Sequence, residues 1–140
     1  MEQRFELTQS EIEEIKQKLI DSLKKYKAIS FAYLHGSFGI SPFRDIDIGA
    51  YCLVPEDEIF EFELEMSSKL GTVSGYTVEF KIINSAPIGF QFSVINEGTL
   101  LFERARGLRL SFVEELGLRY LDYFEFSKSY LRELMECLEK

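Results

Sequence analysis

The sequence has few of the residues that build clustered sulfur or histidine sites. Its 140 residues include two cysteines, one histidine, three prolines and no tryptophan. Cys52 and Cys137 lie far apart among apolar neighbours, so they form no Cys-x-x-Cys or Cys/His motif, and we expect both to be small buried side chains. We expect His35, the single histidine, to pack at the end of a strand rather than to act as a catalytic base.

Basic residues and long apolar runs are also scarce. Lys and Arg number 16 against 24 Asp and Glu, which gives a net charge of −8. Nucleic-acid binding by bulk attraction needs clustered basic residues, so we expect no direct nucleic-acid partner. No apolar run reaches membrane-spanning length, and we expect no membrane association. The first residues, MEQRFELTQSEIEE, are mostly polar and contain no apolar run. We therefore expect no signal peptide and a cytoplasmic protein.

The residues that are present suffice for one folded domain. Apolar residues make up 46% of the chain, and 140 residues can bury a core within a single domain spanning 1–140. The periodicity predicts an α/β (α+β) fold, in which helices flank a small mixed sheet. The predicted strands are 29–35, 45–53, 76–84 and 99–102. The predicted helices are 8–27, 56–70, a short one that starts at 85–87 and ends near Gly98, and 108–139.

Two of the predicted helices carry further signals. Thr8 and Glu11 have the spacing of a capping box at the start of the first helix. The C-terminal helical segment, about 108–139, carries Leu116 and the tyrosines 120, 123 and 130 at helical spacing, with a bend expected near Gly117 or Phe126. We interpret these tyrosines as core packing or as a face between two copies of the chain.

The most informative segment follows the first predicted strand and reads HGSFGISPFRDIDI at residues 35–48. Its small Gly36-Ser37 turn can approach a phosphate closely and offer it backbone N–H groups. Asp45 and Asp47 follow two residues apart on the next strand and therefore share one face. Two carboxylates this close repel each other unless a cation lies between them, so the segment indicates a divalent metal next to a phosphate.

A third acid is predicted to join this pair. Glu79 lies in the run VEFKII, which carries only one other charge, Lys81. If this strand lies beside the strand of the two aspartates, three carboxylates converge, and their hard oxygen atoms suit Mg²⁺ or Mn²⁺ together with substrate phosphates. A pair of such metals would serve in-line nucleotidyl transfer. The alternative for Glu79 is a salt bridge with Lys81. Arg44 is equally suited to contact a phosphate or to pair with a surface acid.

Gly36-Ser37 followed by Asp45-Ile46-Asp47 resembles the GS…DxD motif of the polymerase-β-like nucleotidyltransferases. More narrowly, the chain resembles the minimal nucleotidyltransferase (MNT) group. Residues 78–87 (VEFKIINSAP) are similar to that group's third strand and the helix start behind it, and residues 96–102 (NEGTLLF) resemble its next landmark. The resemblance covers about 29–103. Arg44 stands where Ser is common before the DxD, and Glu79 where Asp is usual.

The resemblance implies the rest of the hypothesis. Asp45, Asp47 and Glu79 would be catalytic and would hold Mg²⁺ or Mn²⁺. Gly36 and Ser37 would bind ATP, and we add Arg44 and Lys81 as candidate phosphate contacts. The implied reaction transfers AMP to a hydroxyl of a protein, and the implied partner is a HEPN-domain protein that the chain neutralises as an antitoxin. The alternative is an antitoxin that keeps this fold and acts by binding alone.

Overall fold

The computed structural model describes residues 4–39 and 42–138, apart from the side chains of residues 126 and 127. Its strands are β1 (Ile29–His35), β2 (Ile46–Cys52), β3 (Val78–Ile82) and β4 (Thr99–Glu103). Its helices are α1 (Gln9–Leu23), α2 (Ile59–Ser74), α3 (Ile88–Glu97) and α4 (Arg106–Leu138). None of the helices in these ranges is long and apolar enough to cross a bilayer.

The four strands form one mixed sheet in the order β3-β2-β1-β4. β1 pairs antiparallel with both β2 and β4, whereas β2 and β3 run parallel. The parallel pair arises because α2 carries the chain back between these two strands, as a parallel connection requires. The predicted small mixed sheet is therefore confirmed, and so is β4 as an edge strand.

Side chains from both faces of the sheet are buried in separate apolar clusters. On one face Ile46, Ile48 and Phe80 pack with residues of α1 and α2 such as Leu19 and Met66. On the other face a smaller cluster joins the sheet to α3 and α4. Since alternate residues of a strand point to opposite faces, Asp47 faces the same side as this smaller cluster. That side is covered less completely, which leaves room for a site beside α3.

The start of α1 is as predicted, but its end comes earlier. The Thr8 side chain accepts a hydrogen bond from the Glu11 N–H at 3.2 Å, and the Glu11 carboxylate accepts one from the Thr8 N–H at 3.0 Å. The helix ends at Leu23 rather than at 27. Arg104 donates to the carbonyl oxygens of Lys24 and Tyr26 at 3.0 and 3.1 Å, and a cation there satisfies carbonyls that have no helical partner.

The outer edge of β3 is covered by side chains of α2. The Phe80 N–H donates to the Ser67 hydroxyl at 3.0 Å, and the Ile82 N–H donates to the Glu63 carboxylate at 2.8 Å. Glu63 and Ser67 are four residues apart and so lie on one face of the helix. The helix thus supplies acceptors that an unpaired strand edge would otherwise lack, which protects the edge from pairing with another chain.

The C-terminal helical segment is one helix, α4, with no interruption at Gly117 or Phe126; the predicted end at residue 139 lies outside the described residues. Phe112 and Leu116 are buried against the sheet, and Tyr120 stacks on Phe92 of α3 with ring centroids 3.8 Å apart. Beyond that point the apolar side chains that the structure describes are exposed, including Tyr123 and Tyr130. The interpretation of these two tyrosines as core packing is therefore wrong. Cys137 is likewise exposed, because it lies on this half of α4, whereas Cys52 is buried as expected.

Candidate functional site

The Gly36-Ser37 turn lies directly against the Asp47 side chain. His35 is the register partner of Asp47 in the antiparallel pair, so the turn that follows β1 emerges beside β2 at this residue. A Cβ atom on Gly36 would lie only 2.5 Å from the Asp47 Oδ2, and the φ angle of Gly36 is +79°. Glycine is favoured here by both the backbone conformation and the close approach of the carboxylate. The structure thus brings the turn and the second aspartate of the motif together.

The parallel pairing of β2 and β3 brings Glu79 to the same place. Asp47 and Glu79 are register partners, and the side chains of both lie on the same face of the sheet. Asp45 precedes β2 by one residue and is half-buried, while the Glu79 side chain is exposed. The face of β3 that carries Glu79 is therefore open, whereas the opposite face of the strand is buried. The condition that its strand lie beside that of the aspartates is met.

The acids influence one another electrostatically. The pKa of Asp47 is raised to about 6, chiefly by burial and also by the neighbouring carboxylates of Glu79 and Asp45, against the opposing effect of Arg44. A carboxyl group is harder to ionise where water is excluded and other negative charges are near. The surplus negative charge around Asp47 is the environment that a cation would neutralise.

This donor set fits a hard divalent cation that also binds a substrate. Among residues 4–39 and 42–138, no group of three or more His, Cys, Asp or Glu side chains is arranged to hold a metal ion by itself. Mg²⁺ ordinarily takes only one or two protein carboxylates and completes its shell with water and phosphate oxygens. The carboxylates of Asp45, Asp47 and Glu79 offer the hard oxygen ligands for such a shared site. Binding of the ion by all three acids stays a prediction.

Two basic residues lie beside the acids. The Arg44 guanidinium pairs with the Asp45 carboxylate, with Nε 3.3 Å from Oδ2. Of the two alternatives for Arg44, the structure therefore contains the pairing with an acid. Lys81 is exposed on the same face of β3 as Glu79, and no ion pair joins these two side chains in the part of the chain that the structure describes. The alternative of a Glu79–Lys81 salt bridge is thus not observed.

The loop between the turn and Asp45 is anchored by aromatic residues that do not belong to the GS…DxD motif. Phe38 and Phe43 are both buried, and their rings meet edge to face with centroids 4.7 Å apart. Phe43 also exchanges two backbone hydrogen bonds with Phe5, at 2.7 and 2.9 Å. Residues 40 and 41 of this loop lie outside the described residues. Burial of two phenylalanines fixes both ends of the loop, and hence the position of the turn relative to Asp45.

A cleft with a volume of about 620 Å³ opens over Asp47 and Glu79. This volume lies within the range of small-molecule sites in proteins. One wall carries polar side chains, among them Lys81 and Glu63. The opposite wall is apolar and comes from the start of α3 and the residues before it, among them Pro87 and Phe90. The cleft therefore has charged groups at one end and an apolar wall at the other. Hereafter we call it the large cleft.

His35 lies in the lining of the large cleft rather than away from it. Its ring packs edge to face against Phe90, with centroids 5.7 Å apart, so the expectation of a packing role is confirmed. Burial lowers the pKa of His35, although Glu79 and Glu97 act in the opposite direction. The imidazole is consequently neutral at pH 7 and adds no positive charge to the acids.

The residues that hold the apolar wall in place form a second group that sequence reasoning missed. The Asn84 side chain accepts from the Cys52 N–H at 3.0 Å and donates to the Cys52 carbonyl at 2.9 Å. Gln91, buried in α3, donates to the Ile83 carbonyl at 2.7 Å. A Cβ atom on Gly49 would lie 2.8 Å from Ile83, so the glycine allows this segment to approach β2. Residues 84–87 belong to the segment that resembles the MNT group, and this resemblance could have identified the wall from the sequence.

Comparisons with known proteins agree with this geometry. A family model described as "Polymerase beta, Nucleotidyltransferase" matches residues 17–107, which include every site residue named above. No curated protein matches the sequence.

Solved structures share the fold at low sequence identity. The chain is similar to MNT antitoxin in the complex with tri-AMPylated HEPN toxin from Shewanella oneidensis, at 20% identity and a TM-score of 0.71, covering 89% of this chain and 98% of that one. A toxin–antitoxin complex of MntA and HepT matches at 20% identity and a TM-score of 0.65, covering 91% and 99%. A toxin–antitoxin structure with AMP-PNP matches at 19% identity and a TM-score of 0.66, covering 92% and 99%.

Proposed function

The chain belongs to the polymerase-β nucleotidyltransferase family, and from this membership we propose that it transfers a nucleotidyl group, AMP from ATP, to a hydroxyl of a protein partner. One observation carries the proposal. The Gly36 turn lies within contact distance of Asp47, which in turn is the register partner of Glu79. A phosphate-binding turn beside a pair of metal-binding acids is the arrangement that this chemistry requires.

Each residue of the site has a proposed role. Backbone N–H groups and the hydroxyl of the Gly36-Ser37 turn bind the triphosphate. Asp45, Asp47 and Glu79 hold Mg²⁺ or Mn²⁺, which when bound neutralises the charge that develops on the phosphate oxygens. Lys81 approaches the phosphates from β3, and Arg44 exchanges its Asp45 partner for a phosphate oxygen. The apolar wall with Phe90 contacts the nucleobase.

The reaction forms one bond and breaks one. The acceptor oxygen attacks the α-phosphorus of ATP, the bond between that phosphorus and the bridging oxygen breaks, and pyrophosphate leaves. The hydroxyl proton passes to a carboxylate of the site and then to water. Glu79 is the carboxylate proposed to accept this proton, because it is the exposed acid of the three and lies beside Asp47.

The proposed partner is a HEPN-domain protein, and the chain is its antitoxin. The support is the likeness to antitoxin chains of HEPN toxin complexes, one of which contains a tri-AMPylated toxin. The exposed apolar half of α4 offers further area for contact with a protein. A second copy of the chain is another candidate for that surface.

A second candidate function is neutralisation of the partner by binding alone. The observation in its favour is the Arg44–Asp45 ion pair, which occupies one of the two motif carboxylates. A chain that kept this pair in the presence of nucleotide would hold its metal weakly and turn over slowly. Such a chain would keep its fold and could still neutralise the partner by binding to it.

Titration calorimetry with ATP and Mg²⁺ tests the site. We expect binding to the natural chain, and none to the Asp45→Asn/Asp47→Asn variant or in the presence of EDTA. Transfer of labelled AMP to the protein encoded by the neighbouring gene then tests the reaction. Equal neutralisation of that protein by the double variant would favour binding alone, and absence of any metal-dependent nucleotide binding would exclude the enzyme.

A further inference from the structure

Asp45 lies outside the large cleft, whereas the other two acids of the site line it. Asp47 and Glu79 belong to the lining of the large cleft, and Asp45 does not. Asp45 instead borders a smaller cleft of about 320 Å³ between α2 and β3. Within the described ranges, the three acids accordingly form no group that is arranged to hold a metal ion. An ion bound by all three, beside phosphates in the large cleft, requires the Asp45 carboxylate to move towards Asp47.

The guanidinium of Arg44 holds Asp45 in this position. Its Nε lies 3.3 Å from the Asp45 Oδ2. Arg44 lines a groove between α2 and the start of β3, and it is not among the residues that line the large cleft. The ion pair therefore draws Asp45 towards this outer groove. A guanidinium and a divalent ion are both cations that bind carboxylate oxygens, so the two compete for Asp45.

Only side chains need to move for the ion pair to open. Phe43, which precedes the pair, is buried and exchanges two backbone hydrogen bonds with the N-terminal segment. Ile46, which follows it, is buried, and its N–H donates to the Thr77 carbonyl at 2.9 Å. The backbone is thus fixed on both sides. The Arg44 and Asp45 side chains are 50% and 30% exposed, and ion pairs of this exposure are weak enough to exchange partners.

We propose that the Arg44–Asp45 ion pair is an autoinhibitory contact, which keeps the metal site incomplete until a nucleoside triphosphate binds. This inference rests on the proposed function, because it sets a condition on metal binding at the same site. The triphosphate attracts the Arg44 guanidinium, and Asp45 is then released to the ion beside Asp47 and Glu79. Without nucleotide, a divalent ion has only these last two acids and binds weakly. Metal and nucleotide therefore bind cooperatively, and each raises the affinity for the other by the same factor.

Binding of Mn²⁺ to the full-length chain without nucleotide tests the contact, with the EPR signal of free Mn²⁺ as the measurement. We expect Arg44→Ser, which removes the guanidinium, to bind Mn²⁺ about fivefold more tightly, the upper end for a half-exposed pair. The control Lys81→Ser removes one positive charge two residues from Glu79 and should change the affinity by less than about twofold. No gain in Arg44→Ser, or an equal gain in Lys81→Ser, would overturn the inference.

A double-mutant cycle with Asp45→Asn distinguishes the ion pair from a general effect of charge. The amide of asparagine forms no ion pair with Arg44, so the guanidinium no longer withholds a metal ligand. Adding Arg44→Ser to Asp45→Asn should therefore change the Mn²⁺ affinity by less than about twofold. A fivefold gain that persists in this background would mean that Arg44 acts on the other acids, which contradicts the proposed contact. Both side chains are partly exposed, so the substitutions leave the core intact.

The dependence on nucleotide is tested with an ATP analogue that carries a methylene group between its α- and β-phosphates and cannot react. Calorimetry gives the Kd of this analogue with Mn²⁺ and with EDTA. We expect Mn²⁺ to improve the affinity about fivefold more in the natural chain than in Arg44→Ser, because only the natural chain has an ion pair to open. Equal improvement in the two chains would mean that the triphosphate does not release Asp45, and the inference would be wrong.

The same two measurements separate this inference from the proposed function. If the natural chain binds the analogue with Mn²⁺, but Arg44→Ser leaves the affinity for Mn²⁺ unchanged, the autoinhibitory contact is refuted and the proposed function stands. If neither chain binds the analogue in the presence of Mn²⁺, the proposed function fails, and the inference fails with it.

Discussion

Gly36 is a residue at which two requirements coincide. Its φ angle of +79° is unfavourable for other residues, and a Cβ atom would meet the Asp47 carboxylate. Gly75 has a similar φ of +82°, but a Cβ atom there would have no neighbour within 4 Å, so this residue isolates the backbone contribution. Comparison of the two glycines therefore distinguishes the effect of the backbone conformation, which both share, from the effect of contact with Asp47, which only Gly36 has.

We predict that Gly36→Ala and Gly75→Ala lower the free energy of unfolding by similar amounts, about 1–2 kcal/mol, as measured by urea denaturation. The Asp47 carboxylate is the end of a side chain and can rotate away from the new methyl group. That rotation removes a metal ligand, so only Gly36→Ala should lose binding of ATP with Mg²⁺ in calorimetry. Retention of full nucleotide affinity in Gly36→Ala would contradict the proposed role of the turn.

The ionised carboxylate of Asp47 lowers the stability of the folded chain at neutral pH. Its pKa is raised to about 6, so the folded chain holds a proton there that the unfolded chain, with an ordinary carboxyl pKa of about 4, has already released. The folded state binds more protons between these pH values. Stability from this group is therefore complete below pH 4 and is lost as the pH rises through 6.

We predict that Asp47→Asn makes the chain more stable at pH 7 by about 1 kcal/mol, a figure reduced for solvent screening of a half-buried group. The gain should vanish near pH 4, where the natural residue is protonated. Urea denaturation at both pH values measures it, with Asp122→Asn on the exposed part of α4 as control. A loss of stability at pH 7 would show that the negative charge of Asp47 is compensated within the protein.

Among the elements, α4 combines two different environments along one helix. Its first half is buried against the sheet through Phe112 and Leu116, whereas Leu134 and the residues near it are exposed. Packing against the sheet therefore stabilises only the first half. The exposed half holds apolar side chains that contribute little to the fold of the isolated chain.

We predict that Leu116→Ala lowers the free energy of unfolding by about 2–5 kcal/mol, because it leaves a cavity in the core. The same substitution at the exposed Leu134 should change it by less than about 0.5 kcal/mol. Thermal unfolding followed by circular dichroism at several protein concentrations measures both. If Leu134→Ala lowers the melting temperature and the effect grows with concentration, a second copy of the chain covers this face in solution.

For the molecule as a whole, the proposed binding of nucleotide and metal would couple the site to global stability. Any substrate that binds only the folded state shifts the unfolding equilibrium by mass action. The turn after β1, the two acids near β2 and Glu79 of β3 come from three separate parts of the chain. A substrate that contacts all of them opposes unfolding of the whole sheet.

We predict that ATP with Mg²⁺, at a free concentration about a hundredfold above the Kd, adds about 2.7 kcal/mol to the free energy of unfolding. The melting temperature should rise by roughly 6–10 °C. EDTA should remove the rise, and Asp47→Asn should not show it. A rise of the same size with ATP and EDTA together would mean that the nucleotide binds without a metal.

Local patterns predicted most of the elements, but tertiary contacts decided their ends. The strand 29–35 and the capping box at Thr8 were predictable because they depend on neighbouring residues only. The end of α1 depends on Arg104, about eighty residues away, and the shortening of the third strand accompanies the pairing of Asn84 with Cys52. Contacts between residues this far apart produce no periodic pattern in the sequence, so the ends that they determine could not be predicted from it.

The residues of the candidate site lie in short stretches of the sequence. A Gly-Ser turn, two aspartates at strand spacing and one later acid are local features, and they indicated the family and the atoms that we propose to bind metal and phosphate. Where those atoms lie depends on the fold. The parallel pairing of β2 and β3 set Glu79 beside Asp47, and the open face of β3 exposed it. Strand order and helix placement follow from burial of the whole chain, so no local pattern encodes them.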